Sequence, residues 1–258
     1  MKRFVVLMLA FVLCLPVCVL AADAVYERDR ASEVTGWSLY GADDDVDTTA
    51  QLITELNTTY AQLAAEDKLE VLSDTISDTQ QKVTIEGIDN TSKRIKETVT
   101  LNSTIGTTEV TTTANFRYVD QAYLSSSTAA GTITIRRATG NTFITSIPAG
   151  EMEAMMSQHF NGEKDSYITM WGAGISSTLA GIIFDLRYYN DDARCLAPTT
   201  GYRVLDRITT DNSTLGMNIH SFEQPIKCPK DGWIAIYGTG GANDADGEII
   251  IQGYDTAN

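Results

Sequence analysis

From Lys68 onward, apolar and polar residues alternate in short runs, and that period of two predicts half-buried β-strands. Leu69 and Val71 alternate with polar neighbours, as do Val83 and Ile85. Ile95, Glu97, Val99 and Leu101 share one face, and Ile133 and Ile135 repeat the pattern after Gly131. The Thr-rich stretch 98–113 favours strands too, because β-branched side chains suit a pleated surface. Turn residues separate the runs at 87–90, Gly106, 140–141 and 148–150. Further strands are predicted at Ser166–Trp171, Gly181–Tyr189, Gly201–Ile208, Gly216–Phe222, Trp233–Tyr237 and Glu248–Gln252.

Before Lys68 the pattern differs. Leu52, Leu56, Tyr60 and Leu63 have helical spacing, and Thr48 with Gln51 has the form of a capping box. A short helix over about 49–65 is therefore expected. Residues 25–47 are polar and acidic and read as an irregular arm. The predicted fold is all-β: two β-sandwich or jelly-roll-like domains, with a short helix before the first. The expected boundaries are 1–22 for a leader, 23–67 for the arm with its helix, 68–148 for the first β domain and 149–258 for the second, jelly-roll-like one.

The leader is a secretory signal peptide by its layout: Lys2 and Arg3, the apolar run 4–20, then small residues at Ala21, Ala22 and Ala24. No stable membrane span is expected once it is removed. Its loss also takes two of the 19 basic residues, leaving 34 acidic ones and a charge more negative than the full chain's −15. Such a surface repels phosphate backbones, so nucleic acid is not an expected partner. The one basic cluster, Lys93, Arg94 and Lys96, reads as a solvated strand edge.

Outside the leader stand two cysteines, Cys195 and Cys228. In an exported chain they predict a disulfide worth roughly 3–4 kcal/mol in the chain-entropy model; in a chain that stays in the cytoplasm they are buried thiols.

Candidate chemistry is sparse. His159 and His220 have no metal-ligand spacing and read as structural. There is no Gly-x-Ser-x-Gly elbow and no phosphate-cradling loop with Lys. An enzyme is not expected, and no cofactor. Two acidic loops offer the oxygen ligands that calcium prefers. Asp43, Asp45 and Asp47 alternate, but Thr48 and Thr54 stand where an EF-hand needs Gly and Glu. Asn243, Asp244, Asp246 and Glu248, around Gly247, form the better calcium candidate; a solvated hairpin tip is the plain alternative. Trp171, Trp233 and the Tyr188-Tyr189 pair offer stacking surface for sugars or, more commonly, core packing. Asn57, Asn90, Asn102 and Asn212 begin glycosylation sequons, which matter only in a glycosylating host.

Ordered short blocks carry a resemblance: Leu69-Glu70-Val71-Leu72-Ser73-Asp74, Ser77-Asp78-Thr79, Val83 to Asp89, Glu97 to Asn102, Phe116-Arg117-Tyr118, Ala130 to Ile135, then Phe222 to Pro229 and Trp233 to Gln252. Together they resemble a family of tailed-bacteriophage structural proteins, β-sandwich capsid or tail accessory proteins of marine phages. The resemblance implies a non-catalytic virion protein, a capsid decoration, head-fibre or tail component. Its partners would be other virion subunits, in a homo-oligomer. The signal peptide points instead to an exported surface or secreted binding module, an adhesin or filament subunit, partnered by other surface subunits.

Overall fold

The computed structural model describes residues 34–53, 65–154, 156, 158–176, 180–191, 201–211 and 215–256. They form strands β1 (Val34–Val46), β2 (Gln51–Leu52), β3 (Leu69–Ser73), β4 (Lys82–Ile88), β5 (Arg94–Thr100), β6 (Val110–Thr111), β7 (Tyr118–Leu124) and β8 (Ile133–Arg137). Then follow β9 (Phe143–Ile147), β10 (Gln158–Phe160), β11 (Ser166–Ile175), β12 (Ile182–Tyr189), β13 (Tyr202–Thr209), β14 (Gly216–Cys228), β15 (Trp233–Gly240) and β16 (Ala245–Thr256). The fold is all-β, with several antiparallel sheets. Among the described residues the only helix is a single 3₁₀ turn, Ile76–Asp78, and no helix is long and apolar enough to cross a membrane.

Four sheets divide the strands into two groups. Sheets ordered β6-β3-β8-β9 and β5-β4-β7 use only residues 69–147. Sheets ordered β1-β16-β11-β14 and β10-β15-β12-β13 use residues on both sides of that stretch, and β2 also pairs with β15. The 13-residue β1 corrects the reading of 25–47 as an irregular arm. It pairs along the whole of β16, from Val34↔Thr256 to Val46↔Ala245. Leu39, Gly41 and Asp43 are buried while Tyr40, Ala42 and Asp44 are not, so a period of two is present. Glycine and carboxylates at the inward positions hide it.

The predicted helix also meets a correction at its start. Gln51–Leu52 is a strand against Gly238 and Tyr237, and the Gln51 side chain accepts the Asp47 N–H at 3.3 Å instead of capping Thr48. The remainder, 54–64, lies outside the described residues, as do the leader and Cys195.

Apolar rows run across strands because cross-strand partners share a face. Leu39, Ile251 and Trp171 form one such row, and Gly41, Ile249 and Ala173 the next. β1, β16 and β11 pack through these rows on β15 and β12, whose Ile182, Phe184, Leu186, Ile234 and Ile236 are buried opposite them. Each fully buried side chain of this kind contributes about 1.5–3 kcal/mol of hydrophobic stabilisation. Trp171 and Trp233 are fully buried, as is Tyr189, and Tyr188 is nearly so. These aromatics therefore pack the interior and present no stacking surface to a sugar.

The first group has its own local lock. Buried Asp78 accepts hydrogen bonds from Ser73 Oγ at 2.6 Å and from the Ala130 and Gly131 N–H groups at 2.7 and 3.0 Å. Gly131 sits so close to the Asp74 and Thr75 side chains that no Cβ fits there.

Candidate functional site

Two clusters of ionisable groups stand out. The first lies in the seam where β5 and β7 meet β1, β10, β11 and β16. Arg94, at the start of β5, enters this seam and is largely buried, which corrects the solvated-edge reading for this residue, while Lys93 and Lys96 are exposed. Its Nε donates to Asp255 Oδ2 at 2.7 Å, and its Nη1 pairs with Asp120 Oδ2. Its Nη2 donates to the Phe160 carbonyl at 2.8 Å and lies 2.7 Å from His159 Nε2. Asp120 Oδ1 accepts the Phe160 N–H at 3.0 Å. Asp255 Oδ1 accepts from Ser166 Oγ at 2.6 Å and Trp37 Nε1 at 3.0 Å, with His159 Nε2 at 3.1 Å. The Trp37 ring stacks on His159 at 4.0 Å between centroids.

Burial alone would raise the Asp255 carboxyl. The facing His159 and Arg94 and the Ser166 hydroxyl outweigh it and hold this acid well below the ordinary carboxylate range. An aromatic layer continues the seam: Tyr118 stacks on Phe160 at 4.3 Å, and Tyr189 lies against Trp233 at 4.2 Å.

Ser166, His159 and Asp120 superficially invite comparison with a nucleophile, base and orienting acid. Ser166 Oγ lies 3.3 Å from His159 Nε2, and His159 Nδ1 lies 3.6 Å from Asp120. The chemistry argues otherwise. Ser166 is fully buried, its proton is committed to Asp255, and Arg94 fills the space between the carboxylates. The arrangement ties four strands of one group, β1, β10, β11 and β16, to two of the other, β5 and β7, through hydrogen bonds and paired charges. Of its members, sequence reasoning singled out only His159 and, as part of a surface cluster, Arg94. Partners such as Arg94 and Asp255 are 161 residues apart, and no local pattern links them.

The second cluster is an acidic tip, where the two calcium-candidate loops come together at the end of the β1–β16 ladder. Asp43 is buried and accepts the Asp45 N–H and Gln51 Nε2, both at 3.0 Å; burial pushes its carboxyl up. Asp244, in a left-handed turn with φ 62°, is exposed. It hydrogen-bonds to Asp45, and that contact with the Asp45 and Asp47 charges raises its carboxyl above the usual range. Asp246 and Glu248 follow on β16, and Asn243 is exposed in the turn before it. Among the described residues no group of three or more His, Cys, Asp or Glu side chains is placed to hold a metal ion.

Of the remaining candidates, His220 is exposed on β14 with Nδ1 2.6 Å from Asp206 Oδ2. Cys228 is a free, buried thiol, pushed up to about 12 by its burial.

No family model matches the chain, and no curated protein matches it.

Proposed function

We propose that the chain is a non-catalytic structural subunit of a phage particle, a capsid decoration, head-fibre or tail component, that works by assembly and surface presentation. The observation that carries this reading is the strand order. β1-β16-β11-β14 and β10-β15-β12-β13 place the first strand beside the last and distribute eight positions over two antiparallel sheets. We read that order as jelly-roll-like, an architecture that viral capsid domains share with lectins. The step from architecture to role is an analogy of fold, joined here to the sequence resemblance.

In this reading β2 and β10, both on β15, divide one jelly-roll strand between them. The sheets of 69–147 are then a second β-sandwich inserted into that strand, instead of a domain preceding the jelly roll. The seam around Arg94 fixes how the insert sits. The net charge of −15 keeps the outward surface solvated and resistant to non-specific adhesion.

The test is intact-mass analysis of particles purified from the natural source. The expected result is this protein at a fixed copy number per particle. Particles that lack it overturn the assignment.

A further inference from the structure

The edges of the two larger sheets are treated differently by the chain. Along β1, the Tyr40 carbonyl accepts the Met156 N–H at 2.7 Å and the Ser38 carbonyl accepts Gln121 Nε2, so this edge is covered. β13 carries Arg203, Asp206 and Arg207 along its length, and charge of this kind discourages strand addition. Among the described residues β14 pairs only with β11. Its second part, 222–225, stands opposite the single residue Thr169 in an irregular register and contains Pro225. Bulges and proline are standard protection for an exposed edge.

Its first part has no such protection. Gly216-Met217-Asn218-Ile219-His220-Ser221 pairs regularly with Ile175 back to Met170 and contains no Lys, Arg, Asp, Glu or Pro. The stretch is open on both faces. Ile219 is 55% exposed, and of the six only Met217 is even partly covered. Its apolar side chains lie on the outward face. A Cβ built at Gly172 would meet both Ile219 and Ile250, so these two meet over that glycine and extend an apolar strip across the sheet. The strand is also held in place: Asp206 takes the Trp171 Nε1 hydrogen bond at 2.8 Å and contacts His220, joining β14 to β13.

We infer that this edge is a contact between two copies of the chain, in which the 216–221 stretches pair antiparallel about a two-fold axis and make one sheet continuous across both subunits. An extended backbone edge selects another extended strand. Charge restricts where a copy can sit: two chains of net −15 repel over most of their surfaces and meet at least cost where neither carries a formal charge, as along 216–221. An antiparallel pair of one sequence with itself is self-complementary, as a two-fold contact requires. The outward Met217 and Ile219 of both copies then form a shared apolar strip.

The inference rests on the assembling-subunit reading above, and the tests separate the two. Sedimentation velocity of the full chain across micromolar concentrations should show a monomer–dimer equilibrium. Ile219→Lys should weaken it at least tenfold, while circular dichroism reports an unchanged fold, since the side chain is largely in water. Oxidation of Ile219→Cys should give a covalent dimer, and oxidation of the exposed Ile76→Cys should not. A chain that is monomeric throughout, a dimer unaffected by Ile219→Lys, or equal cross-linking of the two cysteine variants overturns the contact. If the purified chain pairs but particles lack it, the contact stands and only the virion role falls.

Discussion

The seam and the acidic tip both gather carboxylates, yet they shift them in opposite directions. In the seam, Asp255 is buried and still held below the ordinary range, because Arg94, His159 and Ser166 face it. At the tip, Asp244 is exposed and still raised, because its nearest neighbours are Asp45 and Asp47. For Asp255 and Asp244 burial therefore does not decide the direction of the shift; the sign and number of the neighbours do, whereas at Asp43 burial is the largest cause. The seam uses charge to fasten two groups of sheets, whereas the tip places charge outward at the end of a long ladder.

Removing Arg94 tests the contrast most severely, because it gives the seam the like-charge character of the tip. Arg94→Met leaves Asp120 and Asp255 buried without their guanidinium. Breaking a buried pair in this way costs about 3–5 kcal/mol. Chemical denaturation should show a loss of that size. A loss below about 1 kcal/mol would mean that water or His159 compensates both acids, and the seam would not be the fastening described.

Acid titration separates the two clusters by sign. Asp255 has a folded-state value below its unfolded one, so its contribution is complete above the unfolded value of about 3.9 and is lost as pH falls through the folded value. Asp43 and Asp244 are raised, so the folded state binds their protons first, and the tip gains stability as pH falls through their folded values toward the unfolded value of about 3.9. Stability against pH should therefore rise slightly on mild acidification and then fall steeply below about pH 4. In Asp255→Asn the steep limb should flatten while the mild rise persists. An unchanged limb would remove Asp255 from the account of acid unfolding.

How much of this was legible in the sequence follows from the range of the interactions. A strand such as Leu69–Ser73 shows in the chain because alternation is local and one sheet face is buried, and Ile182–Tyr189 shows as a dense apolar and aromatic run buried almost throughout. β1 does not, since its inward positions include Gly41 and Asp43, and its partner β16 lies at the other end of the chain. The acidic loops were visible as candidate ligands, each by itself. Their meeting depends on the β1–β16 register, which no spacing in the sequence expresses. The seam is hidden more deeply. Arg94 stands among Lys93 and Lys96, and composition cannot say which of three cations turns inward; the pairing with Asp120 and Asp255 decides it.

The smallest expected effect belongs to the tip. Asp244→Asn removes a carboxylate from beside Asp45 and Asp47 and leaves an amide that can donate to Asp45. Because the raised acid is disfavoured in its charged form, the substitution should stabilise the fold slightly at neutral pH. The gain should shrink in acid, where Asp244 already holds its proton, and in high salt, which screens exposed charges. Thermal unfolding at pH 7 and pH 4.5, each at low and high salt, measures both trends. A neutral-pH loss would show that the Asp244 carboxylate is compensated by a bound cation or another partner. The tip would then be closer in kind to the seam than its neighbours imply.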